Sequence, residues 1–532
     1  MNRTPEQRRR RAMQYLAQQQ HAPAHAQLEA LQATAPGHVC TQLLAADIAW
    51  SEDRVRDAAA FALDAARLAT DDPELICDVV AALLRVGEVV AARQSLAQPA
   101  LVGTMPYTCL VRLADIRLGF GEYAESLAML DKALVTGNDV AAIHFYRGRL
   151  LTFLGRLEGA ESEYRLSLRI APTLGEAALP LVMLRTQTRD GNYLTELTAG
   201  LRNVARGTRD HAAFEFARYK TLEDLGRYDE AWQALTNGNA IMHARTHEDA
   251  LRQNTSLQRS DDYYSLHSLP RAGVTHTGPQ PIFILGLPRS GTTVLERMLG
   301  NHTQIAAAGE LFDFGRQLQW AGDHRHIQDD TFLQRLEGID LSEVGRRYLA
   351  QTQWRAQGAR CFIDKQTSNW MVAGLIHAAL PGARILHMVR EPMDVCFSIF
   401  RAMFGDAYAI GNDLATLAAH YKKYRRLMSH WHTLAPGAIL DVSYDELVRE
   451  PEATLRKVLA HYELAWEPAC LDLAGNQNPV STLSAAQIRQ PLHARSSGAW
   501  RRYEVPLMSL LKTLSDTSSD TLPRSRTHRQ LS

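Results

Sequence analysis

The sequence predicts a multidomain chain: an all-α solenoid of paired helices, then an α/β domain built on a parallel sheet. Three observations predict it. Gly87, Gly121, Gly155, Gly191 and Gly226 recur at intervals of 34, 34, 36 and 35 residues, the period of stacked helical hairpins. The apolar run at residues 281–285 leads directly into a glycine-bounded loop and then into the helical composition of Val294, Leu295, Glu296, Arg297, Met298 and Leu299. A second apolar run, at residues 384–389, ends on Arg390 and is followed by Pro392, which suits the first turn of a helix.

Composition bounds the function. With 532 residues, 46% hydrophobic and 22% charged, the chain can bury two or more cores, which excludes a single small binding module. Lys plus Arg number 58 and Asp plus Glu 58, a formal net charge of 0, so neither nucleic acid nor an anionic membrane is an expected partner. The first residues are polar, and nowhere do 18 apolar residues run uninterrupted; a cytoplasmic protein without a membrane span is expected. Cys40, Cys77, Cys109, Cys361, Cys396 and Cys470 lack zinc or dithiol spacing and read as buried thiols.

In the repeats, each glycine frees a tight turn. Two positions later stand Val89, Tyr123, Leu157, Tyr193 and Tyr228; five positions later stand Ala92, Ser126, Ala160, Glu196 and Ala231. A small residue there lets antiparallel helices approach, and Glu196 breaks the pattern. These stretches resemble tetratricopeptide repeats. The organisation expected is weak or degenerate helical repeats over 1–59, the solenoid over 60–245, a junction over 246–280, the second domain over 281–515 and a disordered tail over 516–532. A stacked solenoid offers a concave surface, so a peptide or protein partner, or a homodimer, is one reading of this half; the other is a purely structural extension.

The second domain opens with Gly286-Leu287-Pro288-Arg289-Ser290-Gly291-Thr292-Thr293. Strand, loop and helix in this order present backbone N–H groups to a phosphate. The two glycines have the spacing of the nucleoside triphosphate loop, but Thr292 occupies its lysine position, which argues against a triphosphate donor. Arg289 supplies a forked guanidinium, and Thr292 and Thr293 supply hydroxyls. The ligand expected is one esterified phosphoryl or phosphosulfate group.

Together with Gly309-Glu310, Asp364-Lys365, Arg390-Glu391-Pro392-Met393-Asp394 with Ser398, and the stretch from Ser484 to Pro491, this loop makes residues 280–515 resemble sulfotransferases that use 3'-phosphoadenosine 5'-phosphosulfate. The whole chain resembles bacterial sulfotransferases with tetratricopeptide repeats and a catalytic domain similar to tyrosylprotein sulfotransferases. The resemblance implies a P-loop-like α/β fold and that nucleotide as sulfuryl donor. It assigns Arg289, Ser290, Gly291, Thr292 and Thr293 to the 5'-phosphosulfate and Arg390 and Ser398 to the 3'-phosphate. In-line transfer to a hydroxyl needs a base, for which Glu310 is chosen, and charge on the bridging oxygen, for which Lys365 and Ser484 are chosen. Asp364 is expected to orient a neighbouring cation, and no obligatory metal is expected. Arg489, Arg495 and Arg501 belong to a basic, aromatic stretch suited to closing over an adenosine phosphate, without assigned roles.

The acceptor stays open between a protein tyrosine, a carbohydrate and another hydroxyl: tyrosylprotein enzymes carry an arginine two positions beyond the base, where this chain has Phe312. Two alternatives to the enzyme are a noncatalytic nucleotide-binding scaffold and a magnesium-dependent kinase or hydrolase.

Overall fold

The computed structural model describes residues 3–136, 140–267, 269, 273, 277–473, 475–476, 478–480 and 497–515. The expected tail over 516–532 and Ser484, Arg489 and Arg495 lie outside the described residues.

The N-terminal half is all-α, with helices paired as hairpins. The pairs Pro73–Arg85 with Val89–Ser95, Tyr107–Gly119 with Tyr123–Val135 and Ala141–Phe153 with Leu157–Ile170 turn at Gly87, Gly121 and Gly155, whose φ angles are 83°, 79° and 76°. These left-handed turns are where glycine is needed. The small residues one turn into the second helices do what their size allows: Ala92, Ala160 and Ala231 are 0% exposed and Ser126 1%. Glu196 instead lies exposed on the helix Leu194–Asn203. Its hairpin turns differently, since the preceding helix ends at Met183 and the loop around Gly191 is closed by reciprocal backbone bonds with Thr188. Ahead of residue 60 the chain is also helical, from Pro5–Ala17 through Val39–Ser51.

The last hairpin pairs Arg209–Asp224 with Tyr228–Leu266, a helix of 39 residues. Residues 246–266, read as junction from sequence, therefore continue this helix. The sequence has no helix breaker there; the Gly and Pro cluster comes later, at 273–281. Tyr264 is buried against Trp431 of the second domain.

The second domain holds, among the described residues, a five-stranded sheet of β1 (Gln280–Leu285), β2 (Ile305–Ala307), β3 (Cys361–Asp364), β4 (Arg384–Val389) and β5 (Ile439–Ser443). Their order is β2-β3-β1-β4-β5, with every pairing parallel. Alternate residues of β1 serve opposite faces: Phe283 and Leu285 join one core cluster, Ile282 and Ile284 another. Burial on both faces explains why the strand reads as an unbroken apolar run. The parallel arrangement carries the ends of β1, β2, β3 and β4 to one edge, and the loops that follow them build the site.

The two halves share a packed interface. Trp320 and Trp354 of the second domain pack on the repeat core. Glu88, beside the first repeat glycine, accepts from Arg347 and, at 3.0 Å, from Gln351; Gln317 Nε2 donates to the Gly87 carbonyl at 3.0 Å. A Cβ on Gly87 would stand 2.7 Å from Gln317 Nε2 and 2.9 Å from Arg316 Cβ, so this glycine serves the approach of the domains as well as its own turn. The six cysteines are buried and free. No helix among the described residues is long and apolar enough to cross a membrane.

Candidate active site

The loop after β1 is shaped by three residues with positive φ: Gly286 at 142°, Arg289 at 68° and Gly291 at 108°. Gly291 precedes the helix Thr292–Leu299, and a Cβ there would stand 2.3 Å from Tyr444 Cδ2. Tyr444 closes the loop from behind and carries Arg390 over its ring, 4.6 Å from the centroid. Thr292, Thr293 and Ser290 are buried, and the Ser290 hydroxyl meets no hydrogen-bond partner among the described residues. A buried polar atom without a partner carries a cost that an anion seated in the loop would remove.

Arg289 and Arg390, 101 positions apart, share one pocket. Arg390 Nη1 donates to the Arg289 carbonyl at 3.0 Å, and Arg289 Nε donates to Ser398 Oγ at 3.3 Å. The Arg289 side chain thus lies beside Ser398 and Arg390, the two residues that the resemblance assigns to the 3'-phosphate. The helix Pro392–Phe400 presents Ser398; Pro392 opens it as expected, and Glu391 caps it by accepting from the Asp394 N–H at 2.7 Å.

Burial, followed by the nearby Arg401 and Arg390, lowers the Arg289 guanidinium to about 10. Arg401 was not singled out from the sequence. It stands three residues after Ser398, the helical spacing that puts two side chains on one face, and that spacing was the available signal.

The second cluster lies at the ends of β2 and β3. Lys365 is 1% exposed, and its Nζ donates to Glu310 Oε1 at 2.6 Å. The Glu310 side chain is 38% exposed, so the pair has one buried and one accessible end. Glu296, on the loop helix, lies with Oε2 3.9 Å from Lys365 Nζ. Burial raises the Glu296 carboxyl against the pull of Lys365. The sequence reading passed over this glutamate as part of a helical stretch. It sits four residues after Thr292, on a face shared with the loop.

Asp364 accepts from the Tyr348 hydroxyl at 2.9 Å and the Gln366 N–H at 3.1 Å, and its charge acts on the nearby Arg355. It is 0% exposed, and burial pushes its carboxyl up to about 8. It braces the turn carrying Lys365 from inside.

Two residues beyond Glu310, Phe312 is 57% exposed and Arg316 lies over its ring at 5.8 Å. Arg501 is exposed, lies over Trp500 and acts electrostatically on Glu391 and Asp394 at the start of the Ser398 helix. Tyr503 of the same turn is buried between Phe397 and Trp232, in the core rather than over a ligand. Beyond β4, Asp441 accepts from His387 Nδ1 at 2.7 Å and His432 Nε2 at 3.0 Å. Burial pushes Asp441 up, but these two bonds outweigh it and hold the carboxyl well below its usual range. The cluster ties β4 to β5 and to the helix Leu414–Leu434.

Residues 281–468 match the model of the sulfotransferase family. An uncharacterized protein of Aquifex aeolicus (strain VF5) is 28% identical over 378 residues, which is 69% of this chain and 49% of that one. The nodulation protein NoeE of Sinorhizobium fredii is 28% identical over 268 residues, 42% of this chain and 61% of its own. A putative protein-tyrosine sulfotransferase of Caenorhabditis briggsae is 22% identical over 228 residues, 42% of this chain and 80% of its own. The chain thus spans about half the length of the first of these relatives and about three fifths of the second.

Proposed function

We propose that the sulfotransferase-type catalytic domain matched over residues 281–468 moves a sulfuryl group from 3'-phosphoadenosine 5'-phosphosulfate to a hydroxyl acceptor by in-line displacement. The observation that carries this reading is the convergence of Lys365 and Glu310 at 2.6 Å beside the loop helix. The residues fit the donor: three arginines, a serine hydroxyl without a partner among the described residues and a glycine cradle that any Cβ would fill.

The bound donor supplies a sulfuryl group on a phosphate that leaves as adenosine 3',5'-bisphosphate. Glu310, open to solvent on one side, takes the proton of the acceptor hydroxyl at its Oε atoms. As it does so its claim on Lys365 weakens, and the ammonium is freed to face the oxygen on which charge develops. Arg289, Arg390 and Ser398 hold the far end of the nucleotide, and the N–H groups of the loop helix receive the phosphosulfate. Ser484 is retained as the assisting hydroxyl from its resemblance alone.

The acceptor is a protein tyrosine or a carbohydrate hydroxyl. The first is supported by the tyrosine sulfotransferase name of one relative, and the second by Phe312 standing where tyrosylprotein enzymes carry arginine. In this reading the N-terminal half is a tetratricopeptide solenoid that receives a protein partner or a second copy.

A magnesium-dependent kinase is the poorer reading. Thr292 takes the lysine position, and the oxygens of Asp364 are engaged by the Tyr348 hydroxyl and the Gln366 N–H. A scaffold that only binds nucleotide leaves the Lys365–Glu310 pair without a task. Incubation of the full chain with sulfur-labelled donor and panels of tyrosine peptides and oligosaccharides tests the proposal. Labelled product is expected; failure to bind adenosine 3',5'-bisphosphate at all refutes it.

A further inference from the structure

We propose that Glu223, carried by the repeat half, is a positioning residue for the donor pocket: it fixes Arg401 beside Arg289 and Ser398, where a nucleotide 3'-phosphate is held. The proposal rests on the donor reading above.

The last repeat hairpin grips the C-terminal end of the helix that carries Ser398. Asn239 Nδ2 donates to the Phe400 carbonyl at 3.0 Å, occupying one of the carbonyls that a helix end leaves without a partner. Trp232 stacks near Phe400, with ring centroids 6.0 Å apart. Glu223 Oε1 then receives Arg401 Nη1 at 3.4 Å and the Tyr219 hydroxyl at 2.9 Å. The carboxylate is itself held from the repeat side, so it sets where the guanidinium lies rather than following it. The side chains of Glu223 and Arg401 are 7% and 25% exposed, so the carboxylate is buried and the guanidinium only partly accessible.

The electrostatics give this placement a purpose. Burial lowers Arg401, but the buried Tyr219, Glu223 and Tyr503 together raise it, so its charge is secure. The same charge depresses Arg289. Two guanidiniums that repel each other gain when an anion lies between them.

The test compares affinities of the full chain for adenosine 3',5'-bisphosphate and adenosine 5'-phosphate by calorimetry; their ratio reads the 3'-phosphate alone. Arg401→Ala and Glu223→Ala should each reduce the ratio about tenfold, and the double variant should lose no more than either. Glu223→Gln keeps the reach and an accepting oxygen and should retain most of the ratio. Glu223→Asp keeps the charge but withdraws it by one methylene and should lose the ratio. Melting temperatures and circular dichroism identify any variant that has failed to fold, and the Gln and Asp pair, which alter the interface least, decide the matter if Glu223→Ala is such a variant. A ratio that follows charge instead of reach, or one that survives in Glu223→Ala while falling in Arg401→Ala, overturns the proposal. A wild-type chain with no preference for the 3'-phosphate would instead overturn the donor reading beneath it.

Discussion

Replacing Glu310 by Gln should separate chemistry from folding. The Glu310 carboxylate is 38% exposed, and an ion pair open to water on one side contributes about 0–1 kcal/mol after screening. Gln keeps an oxygen that can accept from Lys365, and Glu296 remains 3.9 Å from Nζ as a second acid. The buried lysine is therefore not stranded, and the melting temperature should fall by about 4 °C at most. Turnover should fall far more, because a positioned general base contributes about 10²–10⁴-fold. The assay is transfer of labelled sulfuryl at saturating donor and acceptor, with affinity for adenosine 3',5'-bisphosphate measured alongside. Wild-type turnover under saturation would refute the assignment of Glu310 as base. A parallel collapse of donor affinity and melting temperature would instead show that the residue holds the site together.

Three further outcomes are expected. Gly291→Ala forces a Cβ to 2.3 Å from the Tyr444 ring at a φ of 108°, which displaces the ring under Arg390; affinity for adenosine 3',5'-bisphosphate should drop at least about tenfold, as for the loss of one charge-assisted contact of about 1.5–3 kcal/mol. Asp364, raised to about 8 in the folded chain, binds a proton that the unfolded chain releases near pH 4. Stability should then decline as pH rises from about 4 to 8, by at most about 1.4 kcal/mol per pH unit, and Asp364→Asn should flatten that decline in denaturant titrations at several pH values. Gly87→Ala and Gly121→Ala share the cost of a left-handed turn, about 1 kcal/mol. Only Gly87 faces the second domain closely, at 2.7 Å from Gln317 against 3.9 Å to Tyr123 for Gly121, so Gly87→Ala should lower the melting temperature more; equal shifts would remove the interface role.

What the sequence disclosed follows from how local each feature is. The turns at Gly87, Gly121 and Gly155 were readable because a positive φ is a single-residue requirement, and the small residues five positions later because packing across a hairpin involves near neighbours. The loop between Gly286 and Thr293 was readable for the same reason. Its lysine-less chemistry narrowed the ligand to a phosphoryl or phosphosulfate group, but only the resemblance named a nucleotide. The meeting of Glu310 and Lys365, 55 positions apart, depends on β2 lying beside β3, an order that no spacing encodes. Glu296 and Arg401 had helical spacing from residues already chosen, yet nothing in the sequence says which face of a helix looks into a pocket. The bonds of Glu88 to Arg347 and of Tyr348 to Asp364 arise from domain packing and burial, which emerge only once distant segments have met.

The helix Tyr228–Leu266 starts as half of a repeat and finishes against the catalytic core, meeting Trp431 through Tyr264. It acts as a shaft keyed at both ends. Inserting one residue midway would advance the far end by about 1.5 Å and turn it by about 100°, uncoupling the face that carries Trp232 and Asn239 from the face that carries Tyr264. Grafting a foreign repeat array onto this enzyme domain should accordingly succeed only when the splice preserves rotational phase along the shaft, with near-whole turns tolerated and single-residue changes not.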